Sequence, residues 1–355
     1  MVPPKKPDKV LTGMSGGLDS TITALLLKNA GYKVIGLTLK TWHTDPEFQK
    51  ATIEKARKRA EELDIDHHVV QVEHFFKKNV VDYFCGEYLQ GRTPNPCNRC
   101  NPLVKWPSLI EKADELGCRH IATGHYVQKV FSNGKWFIKK GADPQKDQSY
   151  FLWNLDQHIL QRALFPLGEF KKSEVRQMAL EHGLQETARQ QESMGVCFLA
   201  DTDYRDFLKQ WAEKNNITVK PGEIVDENGN ILGHHPGIPF FTIGQKRGLG
   251  IKDRNYSVSS MDASNNRLVV SPNGPPKTIQ LFLPRYFMTE SLPKGEEQKV
   301  SIRVRGIDNV PELPGRIRPD SGGLQVIFDQ EAIGITPGQS IVFYRKGCVV
   351  GGGIV

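Results

Sequence analysis

The sequence predicts an α/β protein: a doubly wound parallel sheet, then a small β-rich central domain and a C-terminal antiparallel β-barrel. Three observations predict it. A short apolar run, a glycine-rich turn and an apolar helix pattern follow one another between Lys9 and Lys28. Apolar runs of strand length then alternate with amphipathic helical patterns, the grammar of parallel sheets. Beyond about residue 215, short alternating strands are punctuated by Gly, Pro and Asn instead. These shifts divide the chain into 1–205, 206–280 and 281–355.

Lys9–Thr12 is the first strand. It runs into Gly13, Met14, Ser15, Gly16, Gly17, Leu18, Asp19 and Ser20, and Thr21–Lys28 continues as a helix. Gly16 and Gly17 are free to take positive φ and carry no side chain, so backbone N–H groups can converge on an anion at the helix N-terminus. Phosphate is the expected guest. Ser15 and Ser20 offer hydroxyl donors, and Asp19 stands where Mg²⁺ on phosphates would want an oxygen. The turn has neither the Gly-Lys-Ser/Thr ending of a Walker A loop nor dinucleotide spacing.

Tyr32–Leu39 reads as a buried strand and Lys50–Asp64 as an amphipathic helix. His67–Val72 reads as a third strand, with His67 and His68 as surface residues at its entry. A helix with Phe76, Val80, Phe84 and Tyr88 four apart follows. Gly91–Pro102 carries three prolines and a Cys97-x-x-Cys100 pair, and is expected to be irregular. A further helix leads to the strand Arg119–Thr123, then Gly124, which lets a nucleotide approach the backbone, and His125, just past a strand end. In such sheets ligands collect at the carboxyl ends of strands. A hairpin around Ser132–Gly134, the polar group Lys146, Asp147 and Gln148, a helix over Ser173–His182, the run Gly195–Leu199 and a helix over Asp203–Asn215 complete the first part.

The net charge is +7, and between Gly91 and Lys146 ten Lys/Arg face four Asp/Glu. This surplus points to a polyanion larger than a nucleotide. The six cysteines in a long chain argue for reactive thiols or a metal rather than a disulfide scaffold. Met1–Pro7 is too short and proline-broken for a signal sequence, and no apolar run approaches membrane length, so a cytoplasmic protein is expected.

Seven stretches now stand in one order: SGGLDS, GRTPNP with a following cysteine, ATGHY, KDQSYFL, GVCF, FTIGQKRGLG and TPGQS. Together they closely resemble the tRNA-specific 2-thiouridylase family, of the PP-loop (Rossmann-like) ATP pyrophosphatase superfamily. The resemblance implies ATP-dependent 2-thiolation of the wobble uridine of tRNA for Lys, Glu or Gln, through adenylation of the C2 oxygen. It implies Cys197 as persulfide carrier and Cys100 as the second, nucleophilic cysteine, which can close a disulfide with it. Arg99 beside Cys100 would favour the thiolate. It further implies that Gly13–Ser20, Leu39 and Gly124 contact ATP and Mg²⁺. Asn95, Pro96 and Cys97 would line the target base. His125, Lys146, Asp147, Gln148, Arg305 and Gln339 would touch tRNA, and a cysteine desulfurase or sulfur-relay protein would donate sulfur. Many members carry aspartate where this chain has Cys97. Cys97, Cys100 and Cys197 could therefore instead hold a [4Fe-4S] cluster, and both routes stay open at this point. An aromatic residue commonly follows the arginine at the position of Arg305, whereas Gly306 stands here. The alternative function is another PP-loop adenylating ligase or amidotransferase without sulfur transfer.

Overall fold

The computed structural model describes residues 8–190, 195–199, 202–252, 255–293, 295–306 and 311–355. Met1–Pro7, where no signal sequence is expected, lies outside them. The chain forms two compact units. The first comprises Met1–Asn79, Cys97–Ala200 and Arg345–Gly351; the second comprises Val80–Pro96, Asp201–Tyr344 and Gly352–Val355.

The first unit is built on β1 (Lys9–Gly13), α1 (Leu18–Asn29), β2 (Lys33–Lys40), α2 (Pro46–Glu62), β3 (Asp66–Gln71) and β4 (His120–Ala122). The hairpin β5 (Val127–Ser132) and β6 (Lys135–Lys140), then β7 (Ala163–Leu164), follow. The parallel sheet runs β3-β2-β1-β4-β7. Leu11 pairs with Ile35 on one side and Ile121 on the other. All three are buried, as are Val10, Ile22 and Leu27, which is why these strands are apolar without alternation. Because β1 sits between β2 and β4, its carboxyl end is the switch point where such sheets open a crevice.

Two expected elements differ. The helix through Phe76 and Tyr88 is interrupted: Glu73–Phe76 is α-helical, Lys77–Val81 is a π-helical turn, and Asp82–Leu89 is α-helical again. Cys97–Cys100 is likewise a helical turn, continued by Asn101–Lys105 and by the helix Trp106–Glu115. Pro102 falls within the π-helical turn, and the Asn98 carbonyl one turn before it accepts from Asn154 Nδ2 at 3.3 Å instead of from a backbone N–H at Pro102.

The second unit holds two sheets. In one, β8 (Gly222–Val225), β9 (Ile231–His235), β10 (Ser257–Asp262) and β11 (Arg267–Ser271) run β10-β11-β8-β9. The β8–β9 hairpin closes over Gly229 at φ 85°, while β11 and β8 are parallel. The antiparallel remainder contains β12 (Lys277–Leu283), β13 (Tyr286–Met288), β14 (Gln298–Arg303), β15 (Leu313–Asp320), β16 (Gly323–Ile333) and β17 (Ser340–Arg345). Five of these run β12-β16-β15-β14-β17. Ile302, Ile317, Val326 and Phe343 point inward from alternate positions and fill its core. Among the described residues no helix is long and apolar enough to cross a membrane.

Candidate functional site

The glycine turn is rigidly tied to the sheet. Met14 N–H donates to Leu37 O at 2.8 Å, and Thr38 Oγ1 donates to Met14 O at 2.7 Å. His67 Nε2 shares a 2.8 Å hydrogen bond with that same Thr38 hydroxyl. His67 is thus half-buried and braces the turn, not the surface residue expected, and burial lowers its pKa. Gly16 takes φ 71°, whereas Gly17 is extended at φ −79°, ψ 168° and caps α1 without a side-chain bond. Only one of the two glycines therefore uses positive φ. Ser20 Oγ donates to Gly17 O and accepts from Ser15 N–H, so its hydroxyl shapes the turn.

Asp19 lies in the first turn of α1. Its carboxylate accepts from Tyr126 Oη at 2.7 Å and from Lys172 Nζ at 2.7 and 2.8 Å. Lys172, missed in the sequence, supplies positive charge where Mg²⁺ was expected. Nothing local marks it, because 153 residues separate it from Asp19. Gly124 follows β4 against this turn: a Cβ there would lie 3.1 Å from the backbone and Cβ of Asp19. Leu39 is half-buried in β2, paired with Val70. A backbone cradle, a helix N-terminus and a cation together suit a polyphosphate. Lys172→Met is expected to lower pyrophosphate release from ATP about tenfold or more, with Lys172→Arg keeping a larger share, because the Asp19 charge loses its partner. Equal rates in a pyrophosphate assay would remove Lys172 from the site.

The thiols come together in the same unit. Ionisation of Cys197 is opposed by ionisation of Cys97 and of Cys100, and that of Cys100 by ionisation of Cys97, so the three thiols are electrostatically coupled. Solvent reaches Cys97 and Cys197, while Cys100 is half-buried. The dense protein around them nonetheless opposes ionisation. Burial pushes Cys100 up to about 11 and Cys197 up to about 12, with the neighbouring thiols adding to the rise and Lys105 opposing it. Cys97 is raised by burial too. Arg99 does not play the expected part: its Nε donates to Asn79 O at 3.1 Å, and Lys105 is the cation acting on the thiols. Among the described residues no three His, Cys, Asp or Glu side chains are placed to hold a metal ion, so the arrangement does not fit a three-thiol cluster site. Because the thiolate fraction grows tenfold per pH unit below the pKa, alkylation of Cys100 is expected to climb steadily from pH 7 to 10. A plateau below pH 9, read by mass-mapped iodoacetamide labelling, would contradict the buried setting.

The residues assigned to tRNA divide. His125 is buried, shares a 2.7 Å bond with Thr123 Oγ1 and stacks on Trp106 at 6.1 Å. Burial, with Lys105 nearby, holds its pKa well below the usual value, so it is a neutral ring. Asp147 accepts from Gly141 N–H, Ser149 N–H and Ser149 Oγ, and Gln148 Oε1 accepts from Tyr126 N–H, the residue whose hydroxyl holds Asp19. Lys146 N–H donates to Asp143 O in that loop. Asn95, Pro96, Arg305 and Gln339 belong to the second unit, and Cys97 to the first. There Gln339 Nε2 donates to Thr93 O at 2.8 Å, and Arg305 Nη2 to Gly334 O at 2.9 Å.

A family model described as a tRNA methyl transferase HUP domain matches residues 8–201. The tRNA methyl transferase PRC-barrel domain matches 205–272, and the aminomethyltransferase beta-barrel domain matches 281–355. The tRNA-specific 2-thiouridylase MnmA 2 of Phocaeicola vulgatus is 40% identical over 349 residues, covering 98% of each chain. That of Thermoanaerobacter sp. is 43% identical over 364 residues, again 98% of each. Among solved structures, the U34-tRNA thiolase NcsA from Methanococcus maripaludis with its [4Fe-4S] cluster aligns at TM-score 0.38 and 20% identity, over 59% of this chain and 68% of that one. With its motifs in order and its whole length matched at this identity, the chain belongs to the tRNA-specific 2-thiouridylase family.

Proposed function

We propose that the protein is an ATP-dependent tRNA-uridine 2-sulfurtransferase acting on the wobble uridine of tRNA for Lys, Glu or Gln. The C2 oxygen attacks the α-phosphorus of ATP, pyrophosphate leaves, and the adenylated carbon accepts sulfur while AMP departs. Gly13–Ser20 holds the phosphates, with Lys172 and Asp19 setting charge beside them; Mg²⁺ accompanies ATP at this end of the sheet.

In the persulfide route the outer sulfur on Cys197 bonds to C2. The Cys100 thiolate then attacks Cys197 Sγ, the persulfide S–S bond breaks with its electron pair on the departing thiouridine, and a Cys100–Cys197 disulfide forms. A thiol reductant restores the pair, and a cysteine desulfurase or relay protein reloads Cys197. The observation that carries this reading is that two thiols 97 positions apart lie within electrostatic reach of each other, in the unit that holds the phosphate loop. The sulfur in this scheme travels on cysteine alone, and protein purified anaerobically is expected to contain substoichiometric iron. Methyl transfer, named in the descriptions of the matching models, has no use for such a loop or paired thiols. Cytoplasmic tRNA is the natural substrate.

Anaerobic incubation with ATP, unmodified tRNA and a persulfide donor is expected to yield AMP, pyrophosphate and 2-thiouridine in step. Pyrophosphate without thiouridine would favour the ligase alternative, and absence of both would overturn the assignment.

A further inference from the structure

The segment Thr41-Trp42-His43-Thr44-Asp45 joins β2 to α2. Its last residue has a local duty: Asp45 caps α2 by accepting from Glu47 N–H at 2.9 Å. Thr44 does not take part in that cap. Its N–H and its Oγ1 each donate to Phe198 O at 3.3 Å, across 154 residues.

Phe198 is held from both ends. Its ring is 1% exposed and meets Trp42 edge-on at 6.4 Å and Phe76 at 6.0 Å. Its carbonyl carries the two Thr44 bonds. Leu199 N–H donates to Val196 O at 3.0 Å, closing a turn whose two central residues are Cys197 and Phe198. Cys197 is thus the solvent-reached tip of a turn whose other central residue is anchored in the core. A turn on the surface leaves its tip free to swing; anchoring the neighbouring peptide by ring and carbonyl together fixes the direction in which the sulfur points.

We propose that Thr44 is a positioning residue for Cys197, acting through the Phe198 carbonyl, so that the β2–α2 segment aims the sulfur-bearing thiol toward Cys100. This rests on the reading that Cys197 carries the transferred sulfur. Thr44 touches no reacting atom. Its hydroxyl bond is the part that can be removed without losing shape, since valine keeps the volume and the backbone N–H remains.

The test uses the full chain with ATP, unmodified tRNA and a persulfide donor, comparing Thr44→Val, Thr44→Ser and Cys197→Ala. Losing one hydrogen bond of this kind changes a rate by about three- to tenfold. Thr44→Val is expected to form 2-thiouridine more slowly by that factor while releasing pyrophosphate within about twofold of the unaltered protein. In parallel, iodoacetamide labelling of Cys197 relative to Cys100, read by mass mapping, is expected to shift by a similar factor. Thr44→Ser, which keeps the donor, is expected to restore both. Pyrophosphate release in the same samples reports folding, and a general loss of structure would lower it together with thiolation. If Thr44→Val thiolates and labels like the unaltered protein, or if Thr44→Ser fails to rescue it, the positioning role is overturned while the sulfur-transfer reading stands. If Cys197→Ala still makes 2-thiouridine, the underlying reading fails instead.

Discussion

Cys197→Ala is expected to abolish 2-thiouridine formation, by three orders of magnitude or more (about 10³ or above), while ATP and tRNA still give pyrophosphate. The reason is a division of labour within one unit. In the proposed scheme adenylation depends on the Gly13–Ser20 turn and on Asp19 with its partners Tyr126 and Lys172. Sulfur delivery in that scheme depends on the thiols, which sit on the Cys97–Cys100 helical turn and on the Val196–Leu199 turn. Removing the carrier leaves an adenylated uridine with no sulfur nucleophile, so pyrophosphate release without thiouridine is the expected signature. Cys100→Ala is expected to give almost no free 2-thiouridine, because the S–S bond joining the transferred sulfur to Cys197 would have no thiolate to break it. The high pKa of both thiols in the resting protein adds a condition: the thiolate must be stabilised when substrate arrives, and Lys105, which already opposes the rise, is the cation placed to do so. Multiple turnover by Cys197→Ala, measured by nucleoside mass analysis, would refute the scheme.

Gly16→Ala is expected to reduce pyrophosphate release at least a hundredfold, whereas Gly17→Ala costs less than about tenfold. The two glycines adjoin in sequence but differ in conformation. At Gly16, φ is 71°, a region that costs an L-residue about 1–2 kcal/mol. An added Cβ would also lie 2.7 Å from Ala56 N and Lys55 C, backbone atoms of α2 that cannot rotate aside. At Gly17 the backbone is extended, and a Cβ would meet only Ser15 Oγ at 3.4 Å. Distortion at Gly16 would turn the turn's N–H groups away from the phosphates. Equal losses in the two variants, with unchanged thermal unfolding, would show that this geometry does not govern ATP use.

Much of this was legible in the order of residues. A glycine turn between an apolar strand and an apolar helix has few folded meanings, and the alternation that follows permits only a parallel sheet of the kind seen. The C-terminal strands were equally plain, since turn residues recur at short intervals. Misreadings arose where a local cue competed with packing. The prolines of Gly91–Pro102 suggested irregular backbone, yet Cys97 opens a helical turn that continues through Pro102 as a π-helical turn, where Asn154 supplies the Asn98 carbonyl with the bond the proline cannot make. Adjacent His67 and His68 suggested a wet strand entry, yet His67 supports the Met14 carbonyl through Thr38. Arg99 is Cys100's neighbour in sequence, yet the helical turn directs its Nε to Asn79 O, and Lys105 is the cation whose charge favours the Cys100 thiolate.

Residue order alone was enough for the fold class, the glycine-rich turn and the family, because each depends on residue types at short, fixed spacing that few backbones can satisfy. Folding settled which polar groups act on one another: Lys172 on Asp19, Lys105 on the three thiols, Thr44 on the peptide beside Cys197. Such pairs are set by the direction in which strands and helices deliver side chains across tens to hundreds of residues. Electrostatic and hydrogen-bond energies fall off over a few ångströms of space, a distance that separation along the chain does not encode.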